Sequence, residues 1–250
     1  MESKSLEKLL KNNNINIRLK KKLSKKLKHV LVIADGMRRY AYKNKINFGE
    51  SYYLATRKIV EISFWLLKKY DIEELTIYAL AYNNTLYRNS SELKPLNQII
   101  DTAVQVWINT KAFIDLVQIK YYGFINIIPH SVKNNIRLLE NLTKNNIKKL
   151  NILWNYSGQR EILEAIKTLK STKMDLNTLT PESFTNFLML KSSIDFIIRT
   201  GGDLRISDAP LYQTSYAEFY SIKKLFPETT EREIIKALQD FNLRERRFSH

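Results

Sequence analysis

The segment Asp195 to Tyr220, DFIIRTGGDLRISDAPLYQTSYAEFY, gathers the side chains of this chain best suited to hold an anion. An apolar run, Phe196 to Ile198, delivers Arg199 to a Thr-Gly-Gly turn, and Arg205 and Ser207 follow within one short loop. Each guanidinium offers a fork of donors that matches phosphate geometry, and the serine adds a hydroxyl, a set that suits a diphosphate better than a lone carboxylate. Gly201 and Gly202 let the backbone approach a ligand closely. Glu218 is a poor neighbour for a diphosphate unless a cation bridges the two, and a hard, oxygen-seeking ion such as magnesium fits that role. The same residues also read as a surface loop whose arginines pair with the local acids Asp203 and Asp208, and taken alone they leave both readings open.

A second candidate cluster lies near the start. His29 to Ala34, HVLVIA, is a continuous apolar run that predicts a buried parallel strand. It ends in Asp35-Gly36-Met37-Arg38-Arg39-Tyr40, so a carboxylate, a glycine and two arginines stand where open α/β sheets place their ligands. The competing reading is an Asp-Gly turn with a solvated basic face. Further on, Asn155 to Ile162 is a small-residue turn into a helix whose free amides could face an anion, or an ordinary strand-to-helix connection.

The elements that position these clusters follow a repeating strand and helix rhythm. Helical spacing runs from Glu50 to Tyr70, and strands are predicted at Leu75 to Leu80, Gly123 to Ile128 and Leu150 to Trp154. Ala81 to Glu92 is polar and turn-rich and reads as a lid or binding loop at a strand end. Leu93 to Gln118 reads as one or two helices with Trp107, Phe113 and Leu116 on core faces. A helix is expected from Ser131 to about Leu142, and another after Thr230, where Glu233 completes a capping box and Ile234, Ile235, Leu238 and Phe241 form an apolar face. Arg244 to His250 reads as a solvated basic tail. Strand-helix-strand alternation argues for crossovers and a mostly parallel sheet in one α/β domain.

Composition bounds the function. At 250 residues without a Gly/Ser/Pro-rich linker, one domain is expected. There is no cysteine, so disulfides and thiolate metal sites are excluded, in keeping with a reducing cytoplasm. No apolar run has the length of a membrane span or the pattern of a signal peptide, which predicts a soluble protein. The net charge of +16 invites a nucleic-acid or anionic-membrane partner. Lysine, asparagine and isoleucine are abundant throughout, however, so the charge reads as compositional bias and no nucleic acid is expected. The exception is residues 1–28, where Lys20, Lys21, Lys22, Lys25, Lys26 and Lys28 crowd among leucines in a lead that is either a solvated tail or suited to peripheral contact with an anionic membrane.

His29 through Ala41, Leu75 through Glu92, Leu150 through Ile162 and Asp195 through Pro227, together with the ending RERRF, resemble the motifs of the cis-prenyltransferases typified by undecaprenyl diphosphate synthase. The resemblance implies a basic lead at 1–28 and a catalytic domain at 29–250 that includes a C-terminal dimer tail. It implies a six-stranded, mostly parallel sheet flanked by helices, a hydrophobic tunnel, a homodimer, and magnesium-dependent condensation of isopentenyl diphosphate with an allylic diphosphate. By position, Asp35 and Asn84 would be catalytic, with Asp35 and Glu218 on the metal. Gly36, Met37, Arg38, Arg39 and Tyr40 would face the allylic diphosphate, and Arg199, Arg205 and Ser207 the isopentenyl diphosphate. Arg88 would act from the Ala81 to Glu92 loop, and Arg247 would reach the partner subunit's site.

The departures from the family pattern are as informative. Asp-Gly-Asn becomes Asp35-Gly36-Met37, and the arginine and histidine that usually help hold the allylic diphosphate align with Ile46 and Glu50, a repulsive exchange unless Lys43 or Lys45 compensates. Ser-x-Glu-Asn-Trp becomes Ala81-Tyr82-Asn83-Asn84-Thr85, and Gly-Gly-Arg becomes Ser157-Gly158-Gln159 with Arg160 one place late. The isopentenyl half is kept and the allylic half altered, which points to a short-chain or atypical product. Head-to-middle coupling of the lavandulyl type, cyclisation of a prenyl diphosphate, and a non-catalytic partner subunit are the alternatives.

Overall fold

The computed structural model describes Leu23 and residues 27–86, 100–124, 129–172 and 174–245. Within these, six strands form one sheet: β1 (His29–Ile33), β2 (Glu74–Ala81), β3 (Val117–Tyr122), β4 (Lys148–Tyr156), β5 (Phe196–Thr200) and β6 (Glu218–Ile222). Their order is β3-β4-β2-β1-β5-β6, and every pairing is parallel. Parallel neighbours need crossovers, and helices supply them: α1 (Met37–Asn44), α2 (Phe48–Ser63), α3 (Tyr82–Leu86), helical residues 100–108, α4 (His130–Thr143), α5 (Gly158–Ser171) and α6 (Glu231–Leu243). A π-helical turn, Phe64–Lys69, prolongs α2.

Successive strand residues point to opposite faces, and both faces are covered. Val30, Val32, Leu75, Ile77, Leu150, Ile152, Phe196 and Ile198 share one core with Ile59, Leu66, Trp107, Phe113, Ile136 and Phe241. Leu31, Ile33, Tyr78, Leu153, Tyr156 and Ile197 share the other with Leu190, Ile194 and Ala209. Strand order reverses beside β1: the chain leaves β1 for β2 on one side, while β5 lies on its other side and leads outward to β6. A crevice opens at the carboxyl ends of strands where connections diverge in this way. Asp35 follows β1 into that crevice, and Arg199, in register with Ile33, arrives there on β5.

The strand expected at Gly123 to Ile128 lies earlier, at Val117–Tyr122, and 125–128 fall outside the described residues. The segment VQIKYY is a sheet-edge strand with Val117 and Ile119 buried and Lys120 exposed, so it carries alternation rather than the continuous apolar run of an inner strand. The helical reading of Leu93 to Gln118 therefore ends too late: helical residues 100–108 and one turn, Lys111–Ile114, precede β3. In the segment Ala81 to Glu92, Ala81 ends β2 and helix α3 follows at once rather than a loop, and 87–92 fall outside the described residues, as do most of the basic lead and 246–250. Arg244, taken as part of a solvated tail, is instead bound to Glu218 and Asp240, each at 2.6 Å. Among the described residues no helix is long and apolar enough to cross a membrane.

Phe241 anchors α6 to the sheet, its ring 4.9 Å from that of Phe196 between centroids, and both side chains are buried. Phe241→Ala is expected to lower stability by about 3–5 kcal/mol, the range for a buried aromatic truncation. Urea unfolding at neutral pH measures it.

Candidate active site

Asp35 is fixed first by its backbone. Its amide donates to Thr200 Oγ1 at 2.9 Å, its carbonyl accepts from the same hydroxyl at 2.9 Å, and it also accepts from the Phe226 amide at 2.9 Å. The next residue must be glycine. Gly36 caps α1 with φ of 109°, and a Cβ there would fall 2.8 Å from the Leu225 side chain.

The buried Arg199 guanidinium organises the rest. Its Nη2 donates to Asp35 Oδ2 at 2.7 Å, and its Nη1 donates to Ser207 Oγ at 2.8 Å and to the Arg205 carbonyl. Asp203 closes the cluster, with Oδ2 2.9 Å from Arg205 Nη2, 3.5 Å from Arg199 Nη2 and 3.8 Å from Arg39 Nη2. Arg39 Nη2 also lies 3.4 Å from Asp35 Oδ1, while its Nη1 donates to the Gly201 carbonyl at 2.9 Å. Arg39 uses the room left by the missing Cβ of Gly201, which would fall 2.4 Å from Nη2. Three cations and two carboxylates thus meet at one point.

Two cavities flank that point. One of about 490 Å³ is lined by Asp35, Tyr78, Asn83, Asn84, Arg199, Arg205, Ser207 and Asp208. The other, of about 240 Å³, is lined by Asp35, Gly36, Met37, Arg38, Arg39, Tyr52, Leu80 and Asn84. Asp35 and Asn84 face both. The larger carries the donors expected for one diphosphate and the smaller those expected for a second.

Burial pushes the Asp35 carboxyl up, but the Arg199 hydrogen bond and charge, with Arg39 beside it, outweigh burial and hold it below the usual carboxylate range. Asp35 is therefore an anion at neutral pH. Burial raises the Tyr78 phenol, which stays protonated and lies 3.2 Å from the Ser207 carbonyl, supporting the cradle from below. Ser207 and Asp208 both take left-handed backbone angles, with φ of 50° and 61°, and that bend turns the Ser207 hydroxyl back to Arg199.

Among the described residues no three His, Cys, Asp or Glu side chains gather into a metal cage. Magnesium does not require one, since it is commonly held by one or two carboxylates together with substrate phosphates and water. Asp35 and Asp203, adjacent through Arg199 and Arg39, fit such a donor set. Glu218 does not join them. It opens β6 in register with Phe196 and is bound to Arg244, whereas Asp35 lies beyond the opposite end of β1. At the rise of a strand the separation within one chain is on the order of 15 Å.

The remaining expectations divide. Gly36, Met37, Arg38, Arg39, Asn84, Arg199, Arg205 and Ser207 converge on the cavities. Tyr40, Ile46 and Glu50 line neither, and Lys43, offered as compensation for Glu50, is bound to Glu228 at 2.6 Å. Arg88 and Arg247 lie outside the described residues. The amides at the start of α5 face the chain's own Asp208, whose Oδ1 accepts from Gln159 N at 3.0 Å, while Ser157 caps the helix. Local pairing of the loop arginines with Asp203 is also real, and it occurs inside the site rather than in place of one. Asp203, Tyr78 and Asn155 were missed as positioning residues. Only the position of Asp203 between Gly202 and Arg205 signalled its place, because the other two act through contacts distant in sequence.

A family model described as putative undecaprenyl diphosphate synthase matches residues 33–249. A tritrans,polycis-undecaprenyl-diphosphate synthase (geranylgeranyl-diphosphate specific) of Pyrobaculum aerophilum is 32% identical over 226 residues, covering 88% of this chain and 94% of the relative. A ditrans,polycis-undecaprenyl-diphosphate synthase ((2E,6E)-farnesyl-diphosphate specific) of Buchnera aphidicola is 35% identical over 231 residues, covering 88% and 89%. Among solved structures, a probable undecaprenyl diphosphate synthase from Campylobacter jejuni superposes with a TM-score of 0.72 at 26% identity, covering 90% of this chain and 99% of that one. Lavandulyl diphosphate synthase from Lavandula x intermedia, in complex with dimethylallyl diphosphate, superposes with a TM-score of 0.81 over the same shares. Its 24% identity speaks to the fold alone.

The depressed Asp35 carboxyl makes stability depend on pH with a definite sign. A group whose folded pKa lies below its unfolded value stabilises the fold above the unfolded value, and that stabilisation is lost as pH falls through the folded one. Asp35→Asn is therefore expected to unfold at lower urea than the parent at neutral pH, with the gap closing in acid as the parent carboxyl is protonated. Urea midpoints measured at pH 7 and downward below the usual carboxylate range check it.

Proposed function

This chain belongs to the undecaprenyl diphosphate synthase family of cis-prenyltransferases, and from that premise we propose that it condenses isopentenyl diphosphate, or a related short prenyl diphosphate, with an allylic diphosphate, giving a short-chain or atypical product. The observation that carries the proposal is the pair of cavities meeting at Asp35, one lined by Arg199, Arg205 and Ser207 and the other by Gly36, Arg38 and Arg39. Two diphosphates need two sets of donors, and their reacting carbons need a common boundary.

In this reading Arg205 and Ser207 bind the isopentenyl diphosphate, with Arg199 behind them as a buried charge that keeps Ser207 aimed. The Gly36 amide and Arg39 bind the allylic diphosphate. When its C–O bond breaks, the electron pair leaves with the diphosphate, and the guanidinium of Arg39 stabilises charge where it develops. The isopentenyl double bond attacks the allylic carbon, a C–C bond forms, and a proton is lost from the resulting cation. Asn84, at the boundary of both cavities, orients the two partners. Magnesium, held by Asp35 and Asp203, would supply further neutralisation of the departing diphosphate. A homodimer belongs to the same reading.

Incubating the protein with magnesium, isopentenyl diphosphate and, in turn, dimethylallyl, geranyl and farnesyl diphosphates, followed by mass identification of products, is expected to yield a prenyl diphosphate. Absence of product from every combination would refute the proposal. Asp35→Ala is expected to abolish turnover. Arg205→Ala is expected to raise the KM for isopentenyl diphosphate by about tenfold to a hundredfold, the worth of one charged hydrogen bond, with the allylic KM little changed.

A further inference from the structure

Two segments that depart from the family pattern, far apart in sequence, meet in space. Tyr82 stands directly after β2, between the altered positions Ala81 and Asn83, and Arg160, one place later than the family's arginine, is the third residue of α5. The Arg160 guanidinium carbon lies 3.9 Å from the centroid of the Tyr82 ring. The Phe124 ring meets Tyr82 edge-on at 5.6 Å, so the tyrosine is braced from a second direction. Among the described residues Arg160 makes no ion pair, so the ring is the partner its charge has found.

Tyr82 begins α3, and the next residues are Asn83 and Asn84, which face the larger cavity, Asn84 facing the smaller as well. The far side of α3 is held by the end of β4. The Thr85 hydroxyl donates to Asn155 Oδ1, and Asn155 Nδ2 donates to the Phe124 carbonyl at 2.6 Å. Asn155 is buried and takes a left-handed φ of 52°, a conformation that asparagine tolerates better than most residues. A five-residue helix has little stability of its own. Its orientation therefore depends on these two attachments, and the cation over the ring is the one placed directly before the asparagines.

We propose that Arg160 and Tyr82 form a positioning clamp that sets Asn84 at the boundary of the two cavities. The proposal rests on the prenyl-transfer reading of the site. Neither residue is assigned contact with substrate. Loss of either should disturb the reacting geometry more than the binding of either diphosphate.

The test compares Arg160→Ala, Tyr82→Leu, the double variant and Tyr82→Phe with the parent. Each single truncation is expected to lower kcat about threefold to fivefold, the size an exposed cation–π contact supports, with both KM values changed less than about twofold. The double variant should be no slower than either single one, and Tyr82→Phe, which keeps the ring, should match the parent. Amide hydrogen exchange over residues 82–86, read by mass spectrometry, should quicken in both truncations and remain at the parent rate in Tyr82→Phe. Multiplying effects in the double variant, a Tyr82→Leu protein with parental kcat, an increase in KM without loss of kcat, or unchanged exchange would each overturn the clamp. If the parent yields no product with any substrate pair, the functional reading fails, and the exchange experiment still decides whether Arg160 holds Tyr82.

Discussion

A guanidinium buried near the end of a parallel strand is the constraint on which the site depends. Arg199 is 3% exposed, and a charge so placed is costly unless paired and hydrogen-bonded. Its partners come from different parts of the chain: Asp35 after β1, the Arg205 carbonyl and Ser207 from the loop after β5, and Asp203 from the turn between them. Satisfying one buried cation therefore fixes the exit of β1 and folds the loop back over β5. Because β1 and β5 are neighbours at the reversal of strand order, the same interaction places its anionic partner at the mouth of the crevice. Hydrogen-bond satisfaction of Arg199 stops at Nε, which has no partner among the described residues.

Much of this could be read from the sequence because parallel sheets write themselves plainly. HVLVI, ELTIYALA and FIIRT are covered on both faces, and buried inner strands appear as apolar runs ending at the residues that act. Edge strands do not announce themselves in this way. VQIKYY alternates with one face buried, and EFYSI mixes a charge with aromatic residues, so β3 was misplaced and β6 not foreseen as a strand from its residues alone. The register of β6 carries no sequence signal either, and within one chain it places Glu218 at the end of its strand away from Asp35.

The site itself was legible where its residues belong to short motifs and obscure where it is built from contacts across the chain. Asp35 to Arg39 and Arg199 to Ser207 are local clusters. The role of Tyr78 depends on backbone carbonyls more than a hundred residues away, and Thr85 and Asn155 meet across seventy residues. Asp203 illustrates a different limit. Its proximity to the arginines suggested an ordinary ion pair, and the pair exists. Only the burial of Arg199 and the convergence of Arg39 and Arg205 on the same carboxylate set this pair apart from an ordinary surface ion pair.

Asp203 lies within 3.8 Å of all three arginines, so their charge is answered by a carboxylate of the chain itself. Three guanidinium groups set against Asp35 and Asp203 leave a single positive charge in excess. Under the proposed reading that excess is too small to neutralise an entering diphosphate, and magnesium would supply the remaining charge through the same carboxylates.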